Sequence, residues 1–555
     1  MKKISFTVSN FRRMMEEQNY YIDKSMFISH VLRDEVSLYT RPRRFGKSMN
    51  MSMLYYFFSI KEKDNAHLFD HLKITAEKEA MKHQNRYPVI NLSLKTMIDD
   101  TFELNLKSYQ NLISNYLGTH LELFDLKNLD EYDRMRLKEL REQRADVTLL
   151  KDSLRLLTEC LYKYYHARVI ILIDEYDVPL KAAYEASRDH HNTYYQNMTS
   201  FLRSVLLSAL KDNEYLERAV FTGCLRIAKE SIFTGMNNFH VYSLMDPVSA
   251  VDFGFTQEEM DETLRYYHLE KDSPLIKEWY DGYSFGGVDI YNPWSTFQYL
   301  FNVLYGGVHQ PQAFWVNTSD NSIVRYYLSH ADAQMKDDFE QLMQGNSIKK
   351  RIKENLTYQD MDDRESIYSF LLYTGYLKAV QVLENQTFLL TIPNKEVKQV
   401  YEDCFYDYFK PLYKKTGEEF FQALLEENVM KAIELLNNIL IESISYYDAK
   451  ESFYHGFLAG LLHNDRYELQ SNHEAGRGRF DLALIPRLPF GTGIIIECKY
   501  SRKESDLFTM CDSACTQIVS KENVKAFTKE YNTLAYGIAF AKKKAYIKEV
   551  HHDLE

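Results

Sequence analysis

The chain has 555 residues, 45% hydrophobic and 26% charged, a globular balance that excludes a wholly disordered or fibrous protein. At roughly 100–200 residues per domain, this length predicts about three domains with buried cores. The net charge of −12 excludes nucleic-acid binding through overall positive charge, although residues 471–550 carry 13 Lys and Arg against 9 Asp and Glu and leave a local contact open.

The six cysteines form no CxxC pair of the kind that binds zinc, which predicts reduced thiols and a cytoplasmic protein. Cys511 and Cys515 lie four residues apart on a predicted helix, a spacing more typical of a core than of metal ligands. The N-terminal segment lacks the apolar stretch of a signal peptide, and no apolar segment approaches about 20 residues. We therefore expect no membrane span.

Short apolar strands alternate with helices over residues 1–245. Strands are predicted at 36–40, 87–94, 168–173 and 219–224, and helices from 48 to 60, within 100–166 and at about 195–212. This alternation predicts βαβ units with a parallel sheet, and hence an α/β first domain.

The remaining pattern divides the chain into three further parts. Residues 246–305 are predicted to form a mostly helical lid, and residues 306–440 a helical connector with one strand–turn–strand whose turn is at 384–386. Helices that flank a hairpin make a winged helix one alternative for this connector. Residues 441–555 are predicted to form a compact α/β domain, with a helix at 451–462, strands at 479–486 and 493–500, a helix near 506–529 and a strand at 534–540.

The segment RPRRFGKS at 41–48 stands between a predicted strand and a predicted helix and ends in the GKS of a phosphate loop. In such a loop, backbone N–H groups cradle phosphates, the lysine meets the β and γ phosphates, and the hydroxyl binds Mg²⁺. Arg41 replaces the first glycine of the pattern, and we expect the loop arginines to offset lost amide donors with positive charge. The candidate nucleotide-binding residues here are Arg43, Arg44, Phe45, Gly46, Lys47 and Ser48.

The segment VIILIDE at 169–175 is an apolar strand that ends in two carboxylates. Strand ends of this kind lie at the ligand-binding edge of open α/β sheets. Asp174 is predicted to hold Mg²⁺, and Glu175 to orient or activate an attacking water. A buried strand followed by an acidic helix cap is the alternative, but the GKS in the same predicted sheet favours ATP binding.

Three further residues are candidates around this site. Thr222 ends a predicted strand where an ATPase with an additional strand carries a polar sensor, or it is a turn residue. Arg203 is a candidate arginine finger for a neighbouring subunit of a homo-oligomer, and Arg226 a candidate phosphate contact. Solvated surface arginines are the alternative for both.

Asp481, Glu497 and Lys499 form a second candidate site. Residues two apart in a strand face the same way, so Glu497 and Lys499 share a side, and a hairpin would bring Asp481 beside them. Two carboxylates suit Mg²⁺ or Mn²⁺, and the lysine would orient water or stabilise charge during phosphodiester cleavage. The alternative is a solvated strand face with a cross-strand ion pair, although the preceding III favours a central strand.

Residues near this second site have open roles. Glu451 is a candidate third carboxylate with Glu474 as its competitor, and Gln517 either contacts a nucleic-acid backbone or lies on a plain helix surface. The basic residues that would attract phosphates are Arg477, Arg479, Arg502 and Lys503.

Several of these segments resemble known families. TRPRRFGKSMNMSML, ILIDEYDVPL and TGCLRIAKESIFTGMNNF resemble AAA-ATPase-like proteins, while GRGRFDLALIP and IIIECK resemble the PD-(D/E)xK nuclease domain fused to that ATPase. The resemblance implies a P-loop ATPase and a restriction-endonuclease-like core, with Asp481, Glu497 and Lys499 at the nuclease motif positions. Gln517 matches the family's helix glutamine, but Val524 or Phe527 stands where a tyrosine usually follows it.

These observations together predict a protein that binds and hydrolyses ATP and has a metal-dependent nuclease domain acting on DNA. The predicted cofactors are ATP and Mg²⁺, with Mn²⁺ as an alternative at the nuclease site. The competing hypothesis is a nucleotide-switched regulator whose C-terminal domain binds nucleic acid or protein without cleavage. An interaction scaffold with two relic domains is the third.

Overall fold

The protein is described here from a computed structural model, which forms two units. The described residues are 1–125, 129–187, 193–225, 232–233, 239–315, 333–343, 345–354, 356, 358, 364–412, 414–443, 451–462, 464, 466–471, 481–487, 491–520 and 532–550. The first unit consists of Met1–Ser319 with Lys349–Glu396, and the second of Asp320–Ile348 with Val397–Glu555. The four-part division at residues 245, 305 and 440 stays a prediction.

A parallel five-stranded sheet is the centre of the first unit. Its strands are β1 (Val36–Thr40), β2 (Val89–Ser93), β3 (Val169–Asp174), β4 (Leu216–Gly223) and β5 (Phe239–Tyr242), in the order β2-β3-β4-β1-β5. All residues of β1 and β3 are buried, as in sheets covered on both faces. The predicted parallel sheet is confirmed, and β5 is an edge strand that the pattern did not predict.

Helices precede, separate and follow these strands along the chain up to residue 306. They are α1 (Phe11–Glu16), α2 (Phe27–Val31), α3 (Lys47–Phe58), α4 (Lys78–Met81), α5 (Phe102–Gly118), α6 (Glu131–Arg141), α7 (Val147–Tyr165), α8 (Val178–Ser187), α9 (Tyr194–Leu210), α10 (Gln257–Tyr267), α11 (Ser273–Tyr280) and α12 (Pro293–Gly306). Short 3₁₀ segments lie at Ile60–Phe69, Lys73–Ala76, Leu121–Asp125, Pro247–Ser249 and Glu270–Asp272. The helices predicted within 100–166 are confirmed, and Thr101, Asp130 and Asp146 cap them by accepting a backbone N–H three residues on.

Two small antiparallel sheets interrupt the helical middle of the chain. The first pairs β6 (Tyr283–Phe285) with β7 (Val288–Ile290) around Gly286 and Gly287, whose positive φ values of 54° and 87° suit a tight hairpin turn. The mostly helical character predicted for residues 246–305 agrees with α10, α11 and α12. The hairpin within it was not predicted, because three-residue strands leave too short an alternation to detect. The second sheet has the order β8-β10-β9.

The predicted strand–turn–strand is confirmed by the second of these sheets. Its strands are β8 (Ile348–Arg351), β9 (Lys378–Val382) and β10 (Thr387–Thr391). Strands β9 and β10 are antiparallel, and the turn between them contains Asn385 and Gln386, both with a φ of 56°. Strand β8 was not predicted, and the winged-helix alternative stays a prediction.

The first unit ends at a buried acid, Glu396. Its Oε1 accepts hydrogen bonds of 2.8 Å from Ser295 Oγ and from the Trp315 backbone N–H. Its Oε2 meets no partner among the described residues, and burial raises its pKa to about 8. Glu396 therefore fastens segments that are distant in the sequence while staying protonated at neutral pH.

The second unit combines helices with a mixed five-stranded sheet. The remaining helices in the described part of the chain are α13 (Ala333–Met343), α14 (Arg364–Tyr373), α15 (Lys395–Leu412), α16 (Lys414–Leu425), α17 (Val429–Ser443), α18 (Glu451–Leu462) and α19 (Leu507–Ser520). A 3₁₀ turn lies at Glu504–Asp506. Of these, α14 belongs to the first unit and α15 begins there.

The sheet of the second unit has the order β11-β12-β13-β14-β15. Its strands are β11 (Tyr467–Ser471), β12 (Leu482–Pro486), β13 (Thr492–Tyr500), β14 (Asn532–Ala541) and β15 (Lys544–Glu549). The central pair β13 and β14 is parallel and the other pairs are antiparallel. The predicted strands β12, β13 and β14 are confirmed, while β11 and β15, at the two edges, were not predicted.

The two faces of this sheet bury different side chains. Ile496, Cys498 and Ile538 belong to a large core with residues of α16, α17 and α18. The alternate residue Ile495 packs with Ile518 of α19 on the other face. Because side chains alternate along a strand, Glu497 and Lys499 belong to the α19 face.

No helix in the described parts of the chain is long and apolar enough to cross a membrane.

Candidate functional sites

The first candidate site lies where β1 ends and α3 begins. Two residues of the connecting loop have left-handed backbones, Arg44 with a φ of 69° and Gly46 with a φ of 82°. A Cβ on Gly46 would meet no atom within 4 Å, so its glycine is explained by backbone angle rather than by crowding. The loop thereby leads into the N-terminus of α3, where unpaired backbone N–H groups favour an anion.

Lys47 is the first residue of α3, and its ammonium group is directed back into the loop. Its Nζ donates hydrogen bonds to the backbone oxygens of Arg41 at 2.9 Å and Pro42 at 2.8 Å. The same Nζ lies 3.7 Å from Cys224 Sγ, just past the end of β4. The structure thus holds the lysine charge at the centre of the phosphate loop.

Ser48, Asp174 and Thr222 form one chain of hydrogen bonds. Ser48 Oγ donates to Asp174 Oδ2 at 2.5 Å, and the hydroxyl of Thr222 donates to Asp174 Oδ1. The backbone N–H of Glu175 donates to the same Oδ1 at 3.0 Å. Three distant segments therefore converge on one carboxylate, and a hydroxyl beside a carboxylate is an oxygen donor set that fits Mg²⁺.

Glu175 follows β3 in a left-handed conformation, with a φ of 55°. Its side chain is half-buried, and burial together with the neighbouring Asp174 raises its pKa. A carboxylate whose proton affinity is raised beside a metal-type site is suited to general-base work.

Asp177 is a buried acid that the sequence analysis did not single out. Its Oδ2 accepts the backbone N–H groups of Cys224 at 2.8 Å and Leu225 at 3.1 Å, while burial raises its pKa. It therefore fastens the turn after β3 to the end of β4. The acidic run in IDEYD was a signal for it, but nothing local indicated its partners.

Arg41 requires a correction, because it does not offer charge to a phosphate. Its guanidinium is fully buried and donates to Thr40 O, Tyr242 O and both oxygens of Ser249, at 2.6–3.0 Å. The group also lies 5.1 Å and 5.2 Å from the ring centroids of Phe253 and Phe285. All of these contacts are with other residues of the first unit, so Arg41 anchors the loop to β5 and to the segment that follows it.

The other loop residues differ in what they leave accessible. Arg43 is half-buried; burial lowers its pKa, but Cys224, Tyr358 and Asp177 outweigh this and raise it. Arg44 is exposed, with its guanidinium 4.0 Å from the Trp294 ring centroid.

Phe45 is buried in the loop, with ring centroids 4.9 Å from Tyr283 and 5.0 Å from Phe285. Its side chain thus anchors the loop, and only its backbone N–H could contact a phosphate. Arg203 lies half-buried on α9, and Arg226 lies outside the described residues. The ligand-binding roles of all these residues stay predictions.

The second candidate site is built on β12 and β13. The antiparallel register pairs Leu482 with Ile496, which brings Asp481, one residue before, level with Glu497. Asp481 Oδ2 accepts the backbone N–H of Cys498 at 2.8 Å, and Lys499 Nζ lies 3.9 Å from Glu497 Oε1. The structure thus brings the three predicted residues together.

The burial of Glu497 bears on the alternative interpretation of this strand. Its side chain is 1% exposed, against 22% for Lys499, so the pair is not a solvated strand face. Two carboxylates suit Mg²⁺, which typically takes one or two protein carboxylates and keeps several waters. Among the described residues no group of three His, Cys, Asp or Glu side chains is arranged to hold a metal ion.

His455, on α18, is a neighbour of Asp481 that the sequence analysis missed. Its Nε2 lies 2.6 Å from the backbone oxygen of Asp481, and it donates when that nitrogen carries the proton. The two residues are 26 positions apart, so no local pattern indicated the contact.

The remaining candidates of this site are only partly described. Gln517 lies half-exposed on α19, and Glu451 begins α18 with a side chain outside the described set. Arg502 and Lys503 are exposed. Glu474, Arg477, Arg479, Val524 and Phe527 lie outside the described residues.

The two sites define a class of protein. A P-loop nucleotide-binding unit has a phosphate loop after β1 and carboxylates at the end of β3. It also has an additional strand between these two, which is β4 here. The carboxylate–lysine hairpin belongs to a restriction-endonuclease-type sheet.

Comparison with known proteins agrees with this class. The family model described as Predicted AAA-ATPase matches residues 5–233, and that of the PD-(D/E)XK nuclease superfamily matches residues 449–550. The resemblance found in the sequence is thus confirmed: one chain carries an AAA-ATPase-like region and a PD-(D/E)XK nuclease-superfamily region. A protein of Azotobacter chroococcum mcd 1, described as an uncharacterized protein in the vnfD 5' region, is 23% identical over 505 residues, covering 87% of each chain.

Proposed function

We propose that the protein binds and hydrolyses ATP at its first site and cleaves DNA at its second, both with Mg²⁺. The hydrogen-bonded chain from Ser48 through Asp174 to Thr222 supports the first part. Through side-chain oxygen atoms, it connects the phosphate loop to the end of β3 and to the end of β4. When bound there, Mg²⁺ would neutralise phosphate charge.

The chain's own residues have distinct roles in this proposal. Lys47, held in the loop by two carbonyl oxygens, would exchange one of them for a phosphate oxygen. Glu175 would accept the proton of the attacking water, which its raised pKa favours. Thr222 would hold the orientation of Asp174.

The cleavage proposal depends most on the burial of Glu497 beside Lys499 and level with Asp481. A buried carboxylate is costly unless it has a charged partner or a ligand. The two carboxylates would hold Mg²⁺ or Mn²⁺, which polarises the phosphodiester when bound. Lys499 would orient the attacking water, and the exposed Arg502 and Lys503 would attract the DNA backbone.

ATP binding is tested by Lys47→Ala, with exposed Lys95→Ala as the matched control. Loss of a charged donor worth about 3 kcal/mol should weaken ATP binding roughly 100-fold in a fluorescent-nucleotide titration. Glu175→Gln should bind ATP with the parent's affinity and stop phosphate release. Equal ATP affinity in Lys47→Ala and the parent would reject this site.

Cleavage is tested with Asp481→Ala and Lys499→Ala, with exposed Glu468→Ala as the control in the same sheet. The first two should abolish Mg²⁺- or Mn²⁺-dependent nicking of plasmid DNA while ATP binding stays intact. DNA binding should weaken as salt rises because phosphate contacts release counterions. Salt-dependent binding by the parent without nicking, with either metal and with or without ATP, would instead favour the nucleotide-switched regulator.

A further inference from the structure

Cys511 and Cys515 lie one turn apart on α19, and Cys515 Sγ donates to Lys548 O at 3.8 Å, on the edge strand β15. Cys511 Sγ also donates to Gly537 O at 3.1 Å, on the neighbouring strand β14. A Cβ built on Gly537 would lie 2.6 Å from Cys515 Sγ. The sulfur therefore occupies the space that a side chain at position 537 would fill.

The two thiols have unequal reactivity. The neighbouring Cys511 thiol is the largest cause that lowers the pKa of Cys515, and the Gly537 backbone and Lys548 add to it, bringing the pKa to about 7. The same pairing of thiols raises the pKa of Cys511. Cys515 is half-exposed while Cys511 is buried, so an accessible thiolate lies beside a thiol that keeps its proton.

A bond between the two sulfurs would deform α19. Residues four apart on a helix have Cβ atoms about 5–6 Å apart, whereas a disulfide needs about 3.5–4.5 Å. This turn of the helix would have to tighten. It packs on Gly537, which the parallel register of β13 and β14 pairs with Glu497, and the side chain of Glu497 faces α19.

We propose that Cys511 and Cys515 are a reversible thiol–disulfide switch, oxidised by peroxide, that alters the neighbouring carboxylate site. The Cys515 thiolate attacks hydrogen peroxide, breaking its O–O bond to give a sulfenic acid and hydroxide. The Cys511 thiol then forms the S–S bond and releases water. Two thiols thus lose two electrons, and an external dithiol returns them; the strain in the helix makes the bond readily reducible.

The experiment follows the full chain before and after peroxide treatment, and again after dithiothreitol. Trypsin places both cysteines in one peptide, residues 504–521, so mass spectrometry reads the disulfide without any activity assay. Before oxidation, Cys515 should be alkylated at neutral pH at least roughly tenfold faster than buried Cys160, whose pKa burial raises to about 12. After oxidation, amide exchange in α19 and β14 should increase and then recover with dithiothreitol.

The effect on cleavage rests on the proposed nuclease function. The experiment distinguishes failure of the switch from failure of the nuclease. Peroxide should suppress nicking in the parent and in the control Cys160→Ala but not in Cys515→Ser, and dithiothreitol should restore it. Thiols that stay reduced after peroxide, or equal inhibition of Cys515→Ser and the parent, would overturn the switch. Absence of nicking in the reduced parent would refute the proposed nuclease, while the disulfide and the amide exchange would still decide the switch.

Discussion

Arg41 gives the sharpest test of how the phosphate loop is held. We expect Arg41→Met to destabilise the first unit, because methionine fills a similar volume but removes every donor of the guanidinium. The lost hydrogen bonds end on three backbone oxygens and one hydroxyl, all left without this donor in a buried region. The nucleotide contacts of Lys47 should persist, since Lys47 binds the backbone oxygen of Arg41 and not its side chain.

The magnitude follows from opposing effects. Hydrogen bonds from a charged donor contribute about 1.5–3 kcal/mol each, but removal of the guanidinium also recovers the cost of burying a charge, which already lowers its pKa to about 10. We expect a net loss of about 3–5 kcal/mol in the free energy of unfolding. At about 2 °C per kcal/mol for a unit of this size, the midpoint should fall by about 6–10 °C.

Tryptophan fluorescence is a selective probe for this measurement. The three tryptophans of the chain, Trp279, Trp294 and Trp315, all belong to the first unit. Arg44→Met is the matched control: it removes an exposed arginine whose contact with an aromatic ring contributes about 0.5–1 kcal/mol. An unchanged midpoint in Arg41→Met, with ATP affinity lost as in Lys47→Ala, would show that Arg41 contacts phosphate and would refute the assignment.

Three further outcomes are expected. Thr222→Val removes a hydroxyl donor to Asp174 and should lower the ATP turnover rate roughly tenfold at nearly unchanged ATP affinity, as steady-state kinetics would show. Glu396 has a raised pKa, so the stability it contributes is full below its ordinary pKa of 4.5 and is lost as the pH rises toward 8. Glu396→Gln should therefore raise the thermal unfolding midpoint above the parent's at about pH 8.5, and much less at about pH 5. Gly537→Ala places a Cβ against Cys515 Sγ and should destabilise the packing of α19 on β14 by about 1–3 kcal/mol, measured by amide exchange in that helix.

The central strands could be predicted because strands buried on both faces have continuous apolar sequences. VSLYT and VIILID are buried at every position, and the GKS and DE that follow them marked the ligand edge. Strand β5 could not be found in this way, since its four residues are mostly half-exposed. The same limit applies to β11 and β15, which lie at sheet edges and carry mixed polarity.

The candidate sites show a different limit. The alternation in IIIECK predicted that Glu497 and Lys499 share a face, and the structure places them 3.9 Å apart. Arg41 was expected to offset lost amide donors with its charge, because its actual partners, such as Ser249, are about 200 positions away. Long-range contacts to backbone oxygens, like that of His455 with Asp481, leave no mark on a local pattern and become visible only in three dimensions.

The interleaving of the two units has a consequence for biosynthesis. The chain passes from one unit to the other after residues 319, 348 and 396, so no single cut yields both intact. On the ribosome, the first unit cannot complete its fold until Glu396 has emerged, because Ser295 and Trp315 rely on that carboxyl group. A nascent chain that ends at residue 319 therefore carries the phosphate loop and its acidic partner but not the residue that fastens the unit.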